Sequence, residues 1–344
     1  MRLGTHTRGV FAGGPGIPPH SGQCGRAVCS AVVPGLLDRR LIFVTGKGGV
    51  GKSTVATALG VLAARHGLRT IVTELASQAR IRDTFGHDGD TYEEVQLSER
   101  LFTISIDPQR AMEEYLQVRT GPVGQALGAT RLFQAFAMAT PGMRELLSIG
   151  KIWELAQLER RTAGGHYDLV IVDSPAAGHG VGILRTPQTF ADIARVGPIA
   201  HQGRTIARTI ADPAFTAVIA VASAEEMPVN ETLWLRDALV EASLPLDAVI
   251  VNALYPSRFT ARDHKRLQKA RAGSLGGPAS AAVRAALSEH ARVLGQHEQL
   301  QRLRDGLALP LLELPYLFAE AIGPAELDQL ADALETGVAA PRGT

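Results

Sequence analysis

Gly46-Lys47-Gly48-Gly49-Val50-Gly51-Lys52-Ser53-Thr54 decides the fold of this chain. The apolar run Leu41-Ile42-Phe43-Val44-Thr45 precedes it and the helix-like run Val55-Ala56-Thr57-Ala58-Leu59 follows. The pattern G-x-x-x-x-G-K-S between a strand and a helix is a phosphate-binding P-loop. The glycines let the backbone turn tightly and bring amide N–H groups to phosphate oxygens. A helix starting near Lys52 points its positive end at the same anion. Lys52 is expected to reach the β and γ phosphates of a bound triphosphate, Ser53 to ligate Mg²⁺, and Thr54 to sit near the α phosphate. Lys47 has no task in an ordinary P-loop.

Outward from the loop, strand-like and helix-like runs alternate. Strands are expected over Leu41–Thr45, Thr70–Leu75, Leu101–Ile106, Asp168–Asp173, Ala217–Ala222, Ala248–Asn252 and Leu311–Leu314. Most are unbroken β-branched or leucine runs, as in parallel strands buried on both faces. Helical patterns include Lys52–His66, Val229–Ala242 and Ala279–Leu303. The alternation predicts an α/β fold, a doubly wound, mostly parallel sheet of the P-loop NTPase kind, with ligands at the strands' carboxyl ends. From Ile106 to Tyr167 the rhythm breaks. Residues 107–165 read as helices only, with breaks at Gly121-Pro122 and Pro141-Gly142. This is either a helical insertion, a lid or partner-binding subdomain, or crossover helices on the sheet. Its Met112, Phe133, Phe136, Met138, Met143 and Trp153 suit a client groove or an ordinary core.

Composition sets bounds. The 344 residues suffice for one large domain, here taken as 39–340, and 45% hydrophobic with 20% charged residues is ordinary for a globular protein. A net charge of +1 gives no electrostatic case for nucleic acid. The basic run Arg262, His264, Lys265, Arg266, Lys269 and Arg271 reads as a solvated helix face. No apolar run approaches the length that spans a bilayer. Residues 1–38 are rich in Gly and Pro, carry several Arg and have no acid before Asp38. They read as a disordered tail, a start codon assigned too far upstream, or a transit peptide. Cys24 and Cys29 fit no zinc or redox spacing, and point to a reducing, cytoplasmic setting.

Mg²⁺ needs an acid beside the loop. Asp173 ends the strand Asp168-Leu-Val-Ile-Val172, the usual place for one. The turn Ser174-Pro-Ala-Ala-Gly178-His179 could report on a γ-phosphate, with His179 either part of that switch or a polar loop residue.

The glycine-rich segment from Gly46 to Ser53 resembles the deviant Walker A motif of the MinD, ArsA and nitrogenase-iron-protein superfamily. Asp173 to His179, with Leu184 and Pro187, resembles switch II of the ArsA-like branch, which includes the ATPase that targets tail-anchored membrane proteins. Ala194–Gln202 and Glu225–Thr232 resemble a bacterial, mostly actinobacterial, ArsA-like subfamily. The likeness runs from about Arg39 to about Gly337.

The resemblance implies an ATPase with Mg²⁺, in which Lys47 reaches across a dimer interface to the facing subunit's nucleotide. The partner is then a second copy or an ArsA-like paralogue, and a client or membrane protein, not named by any motif, responds to the nucleotide state. The protein would be cytoplasmic, or peripheral to a membrane through that partner. Asn252 matches the residue that reads the adenine edge, and Pro315 the loop packed on the base. From the residues alone, an Asn at a strand's carboxyl end is in the right place for such a contact, the alternative being a turn former. Arsenite binding by cysteines and an interfacial zinc on a CxxC pair are not expected, because no cysteine follows Cys29. Relatives carry an Asp after the second strand that positions the attacking water. Here the strand runs Thr73-Glu74-Leu75-Ala76-Ser77, so Glu74 serves, or Asp83 does, or Ala76 leaves the position empty and hydrolysis is slow or partner-supplied. A small-metabolite kinase or ligase fits Lys47 and the switch poorly.

Overall fold

In the computed structural model the described residues are 33–339 and 341, apart from 76–78, 118–138, 161–164, 195–197 and 274–275. They build one eight-stranded sheet in the order β3-β4-β2-β5-β1-β6-β7-β8. The strands are β1 (Leu41–Gly46), β2 (Thr70–Leu75), β3 (Val95–Gln96), β4 (Leu101–Ile106), β5 (Leu169–Asp173), β6 (Thr216–Ser223), β7 (Ala248–Leu254) and β8 (Leu311–Pro315). All pairings are parallel except β3 against β4. Seven strands fall where the apolar runs place them. The two-residue edge strand β3 was not expected, because two residues among polar neighbours carry no periodicity.

The labelled helices are α1 (Lys52–Arg65), α2 (Arg80–Thr84), α3 (Met143–Leu155), α4 (Ala177–Ala194), α5 (Pro198–Ala211), α6 (Glu226–Glu241), α7 (Ala261–Ala272), α8 (Gly277–Gly306) and α9 (Pro324–Glu335). Residues 108–117 are helical too.

Alternate strand residues feed two apolar layers. Ile42, Val44, Val72, Ile171, Ile219 and Ile250 pack under α1 and α9. Phe43, Ile71, Ile104, Val172, Val218 and Val251 pack under α3, α4, α5, α6 and α8. With both faces covered, a strand gains from apolar residues at every position, which is why β1, β2, β4 and β5 are buried throughout. Residues ahead of position 39 join this core. Val33, Leu36 and Leu37 are buried, and Val33 bridges to Val338.

In the stretch after β4, Met112 is buried and Trp153 packs on the core, whereas Phe133, Phe136 and Met138 lie outside the described residues. A half-buried network ties the stretch together: Arg160 pairs with Glu94 and Glu154, and Lys151 with Glu114 and Glu154. The basic run lies on α7, which buries none of its residues. Among the described residues no helix is long and apolar enough to cross a membrane.

The chain order reverses around β1. Its neighbours are β5 and β6, and the P-loop leaves its carboxyl end at this switch point, where α/β sheets open a crevice for ligands.

Candidate active site

The loop from Gly46 to Gly51 needs glycine for reasons visible in its neighbours. Gly46 has φ 139°, and a Cβ there would overlap the Val221 carbonyl of β6. Gly51 has φ 90°, and its Cβ would run into the Asn252 side-chain amide. Gly48 and Gly49 are exposed, and Val50 is buried and anchors the loop beneath them. No side chain caps the start of α1, so its first amides are left for an anion.

Lys52 opens α1 and donates from Nζ to the Lys47 carbonyl at 3.0 Å. Burial lowers its pKa, and Asp173 and Glu231 oppose that shift by favouring the ammonium. Ser53 donates its hydroxyl to Asp173 Oδ2. Thr54 follows, half-buried on the same turn. Asp173 sits in register with Val44 of β1 and Glu74 of β2. Its Oδ1 is buried without a hydrogen-bond partner. Burial raises the Asp173 pKa, while Ser53, Lys52 and Arg80 hold it down. An orphaned carboxylate oxygen beside a serine hydroxyl suits a hard cation such as Mg²⁺, which takes one or two carboxylates plus phosphate oxygens.

Lys47 does not lie free. Its Nζ pairs with Glu231 Oε2 of α6 at 3.1 Å, 184 residues along the chain. Glu231 was not singled out from the sequence, since only the folded chain brings α6 to the loop. Arg80 was missed too. It starts α2 and its charge acts on Lys52, Glu74 and Asp173.

Glu74 is buried, and its two oxygens accept the Arg80 and Ile81 amides at 3.1 and 3.2 Å. It therefore holds the start of α2 to the end of β2. Ala76 and the side chain of His179 lie outside the described residues, and Asp83 is exposed on α2. Asn252 donates from Nδ2 to the Val50 carbonyl at 3.0 Å, tying β7 to the P-loop. Pro315 ends β8 opposite Leu254. A cavity of about 580 Å³ opens at these strand ends, lined by Ser223, Ala253, Tyr255, Arg292, Gln296 and Tyr316.

Burial, with Asp173 adding like charge, pushes the Glu74 pKa from 4.5 to about 7 against the two amides. The folded chain thus binds more protons than the unfolded chain between those values, so stability falls as pH rises through that window. Glu74→Gln removes the titration. The stability of the variant relative to the parent should rise by about 3 kcal/mol from pH 4.5 to 8. Urea midpoints in the presence of a chelator measure it, and a difference that is flat with pH would refute the buried-acid account.

Comparison with known proteins agrees with this geometry. The profile of the anion-transporting ATPase family, ArsA ATPase, matches residues 39–196 and 193–274. The ATPase BagA of Mycobacterium tuberculosis is 28% identical over 321 residues, covering 86% of this chain and 92% of that protein. The ATPase GET3 of Eremothecium gossypii is 24% identical over 248 residues, covering 62% and 71%. GET3 of Candida glabrata is 26% identical over 258 residues, covering 63% and 73%. With the matched profile spanning most of the sheet and its P-loop, the chain belongs to the ArsA/GET3 family of anion-transporting ATPases.

Proposed function

We propose that this ATPase is a nucleotide-driven dimeric switch whose ATP-bound form is recognised by a client or membrane partner. The observation that carries the reading is the division of labour between two lysines on one loop. Lys52 folds back onto its own loop, where β and γ phosphates bind. Lys47 is one-third exposed, at the rim, held by a carboxylate from another helix. A partly exposed cation of this kind supports a role on a facing subunit's nucleotide, with ATP as the closing element of a dimer.

Within one subunit the chemistry is phosphoryl transfer to water. The loop amides and Lys52 bind the phosphates, and Ser53 with Asp173 would hold Mg²⁺, which supplies charge neutralisation of the phosphate oxygens when bound. Asn252 and Pro315 flank the place for the base, at the ends of β7 and β8. The helical residues after β4 are the natural client-facing part, and the protein would work in the cytoplasm.

A second reading, a nucleotide-binding subunit that hydrolyses ATP weakly and pairs with a paralogous ATPase, draws on Glu74. Both its oxygens are engaged by backbone amides, so it is not free to orient water. ATP binding without turnover by the pure chain, and turnover on adding the paralogue, would favour it.

Lys47→Ala separates the loop's two lysines. It should keep nucleotide affinity within about fivefold, because Lys52 and the amides remain, yet lose ATP-dependent dimerisation and about 100-fold in turnover. Sedimentation velocity with a non-hydrolysable ATP analogue, alongside phosphate release, reads both. A dimer that still forms in Lys47→Ala would sink the trans-lysine reading. Affinity capture with ATP-locked protein, followed by mass spectrometry, is the route to the client.

A further inference from the structure

The phosphate cradle contains a protein anion. Glu231 Oε2 lies 3.1 Å from Lys47 Nζ, and the same carboxylate favours the charged form of Lys52. The two partners are not held alike. On α6, Val229, Thr232 and Leu235 are buried, the Thr232 hydroxyl donates to the Pro228 carbonyl, and Asn230 accepts from Arg302 of α8. Glu231 therefore projects from a fixed turn of helix. Lys47 stands between Gly46 and Gly48 on the loop, one-third exposed.

We infer that Glu231 is a positioning residue that parks Lys47 on its own subunit until a triphosphate arrives, and so sets how sharply the protein distinguishes ATP from ADP. The inference rests on the dimeric reading of Lys47 above. Its physics is competition between anions for the same cations. A diphosphate engages Lys52 and the loop amides and leaves the Lys47–Glu231 pair closed. The γ-phosphate is a further anion that competes with the Glu231 carboxylate for Lys47, which weakens the parked contact and lets the lysine reach the facing subunit. Without the carboxylate, Lys47 is unparked in every nucleotide state.

The test compares the parent with Glu231→Gln, Glu231→Asp, Lys47→Ala and the Lys47→Ala/Glu231→Gln double variant. Affinities for ADP and for a non-hydrolysable ATP analogue, both with Mg²⁺, come from displacement of a fluorescent nucleotide. Sedimentation velocity at the same analogue concentrations gives the dimer. Glu231→Gln should raise analogue affinity about tenfold more than ADP affinity, and lower the analogue concentration for half-dimerisation by about as much. Glu231→Asp keeps the charge and should stay within about threefold of the parent. In the Lys47→Ala background the Glu231→Gln effect on the ATP-to-ADP ratio should shrink to below about threefold, because the two residues act as one pair. A folded Glu231→Gln protein with the parent's ratio, within twofold, overturns the inference. If Glu231→Gln does not fold, Glu231→Ala is the second uncharged variant and carries the same expected ratio. A parent that stays monomeric with the analogue defeats the dimeric reading, and the affinity ratio then judges Glu231 by itself.

Discussion

Lys52→Ala is expected to weaken ATP binding by about 100-fold or more, the largest loss that one substitution in this loop can give. The reason is local charge. Around the loop stand two acids, Asp173 and Glu231, with Lys47 already committed to Glu231. Removing Lys52 leaves Arg80, whose charge already acts on Asp173, and the loop amides to meet a phosphate chain of several negative charges. The same substitution should hardly disturb the fold. Lys52 makes one hydrogen bond to a loop carbonyl and lies at the first position of α1, where alanine is a good helix former. Calorimetric titration with ATP and Mg²⁺, next to a thermal melt of the free protein, separates the two. Affinity within tenfold of the parent, in a protein that melts normally, would contradict the assigned role. Lys52→Arg is a useful companion. It keeps the charge, but its planar fork replaces a compact ammonium packed against the Lys47 carbonyl, so it should recover only part of the affinity.

What could be read without coordinates follows from how each signal is encoded. Strands buried on both faces are written as contiguous apolar runs, so β1, β2, β4 and β5 are legible to within a residue. The P-loop is written as a spacing, and its glycines report backbone needs that Gly46 and Gly51 display against Val221 and Asn252. The edge strand β3 has no such signature, because two residues pairing with Thr103 and Phe102 show no pattern of their own. Residues 33–38 were hidden for a different reason. They sit beside a Gly- and Pro-rich stretch, and Val33 bridges to Val338, more than 300 residues away.

The site divides in the same way. Lys47, Lys52, Ser53 and Asp173 belong to motifs, and the fold brings Lys52, Ser53 and Asp173 into one cluster. Partners are another matter. Nothing local to Glu231 announces that it faces Lys47, and nothing in Thr73-Glu74-Leu75 says that Glu74 is buried and takes amides six and seven residues ahead. Asn252 was expected from the family resemblance to face a base, and nothing in its local sequence shows that its amide also braces the P-loop at Val50.

Asp173→Asn should cost about 100- to 1,000-fold in ATP turnover while leaving the protein at least as stable as the parent. Both halves come from one carboxylate. It is buried in the middle of the sheet between β1 and β2, and burial pushes its pKa up, so its charge is a liability to the fold. Oδ2 is satisfied by Ser53, whereas Oδ1 is buried with no hydrogen-bond partner. Asparagine keeps the shape and removes the charge. Without a metal, the melting temperature should therefore stay level or rise by a few degrees. With ATP, the variant should lose the gain in affinity that Mg²⁺ gives the parent, so its binding curves with Mg²⁺ and with chelator should nearly coincide. Turnover within about threefold of the parent would remove Asp173 from the reaction. The neighbouring acid provides an internal check that does not depend on activity. Asp173 is one of the groups that raise the Glu74 pKa, so its neutralisation should let Glu74 ionise at a lower pH than about 7. The pH window over which the Asp173→Asn protein loses stability should then end at a lower pH than in the parent, and unfolding curves recorded across pH 4.5 to 8 in chelator would detect that displacement.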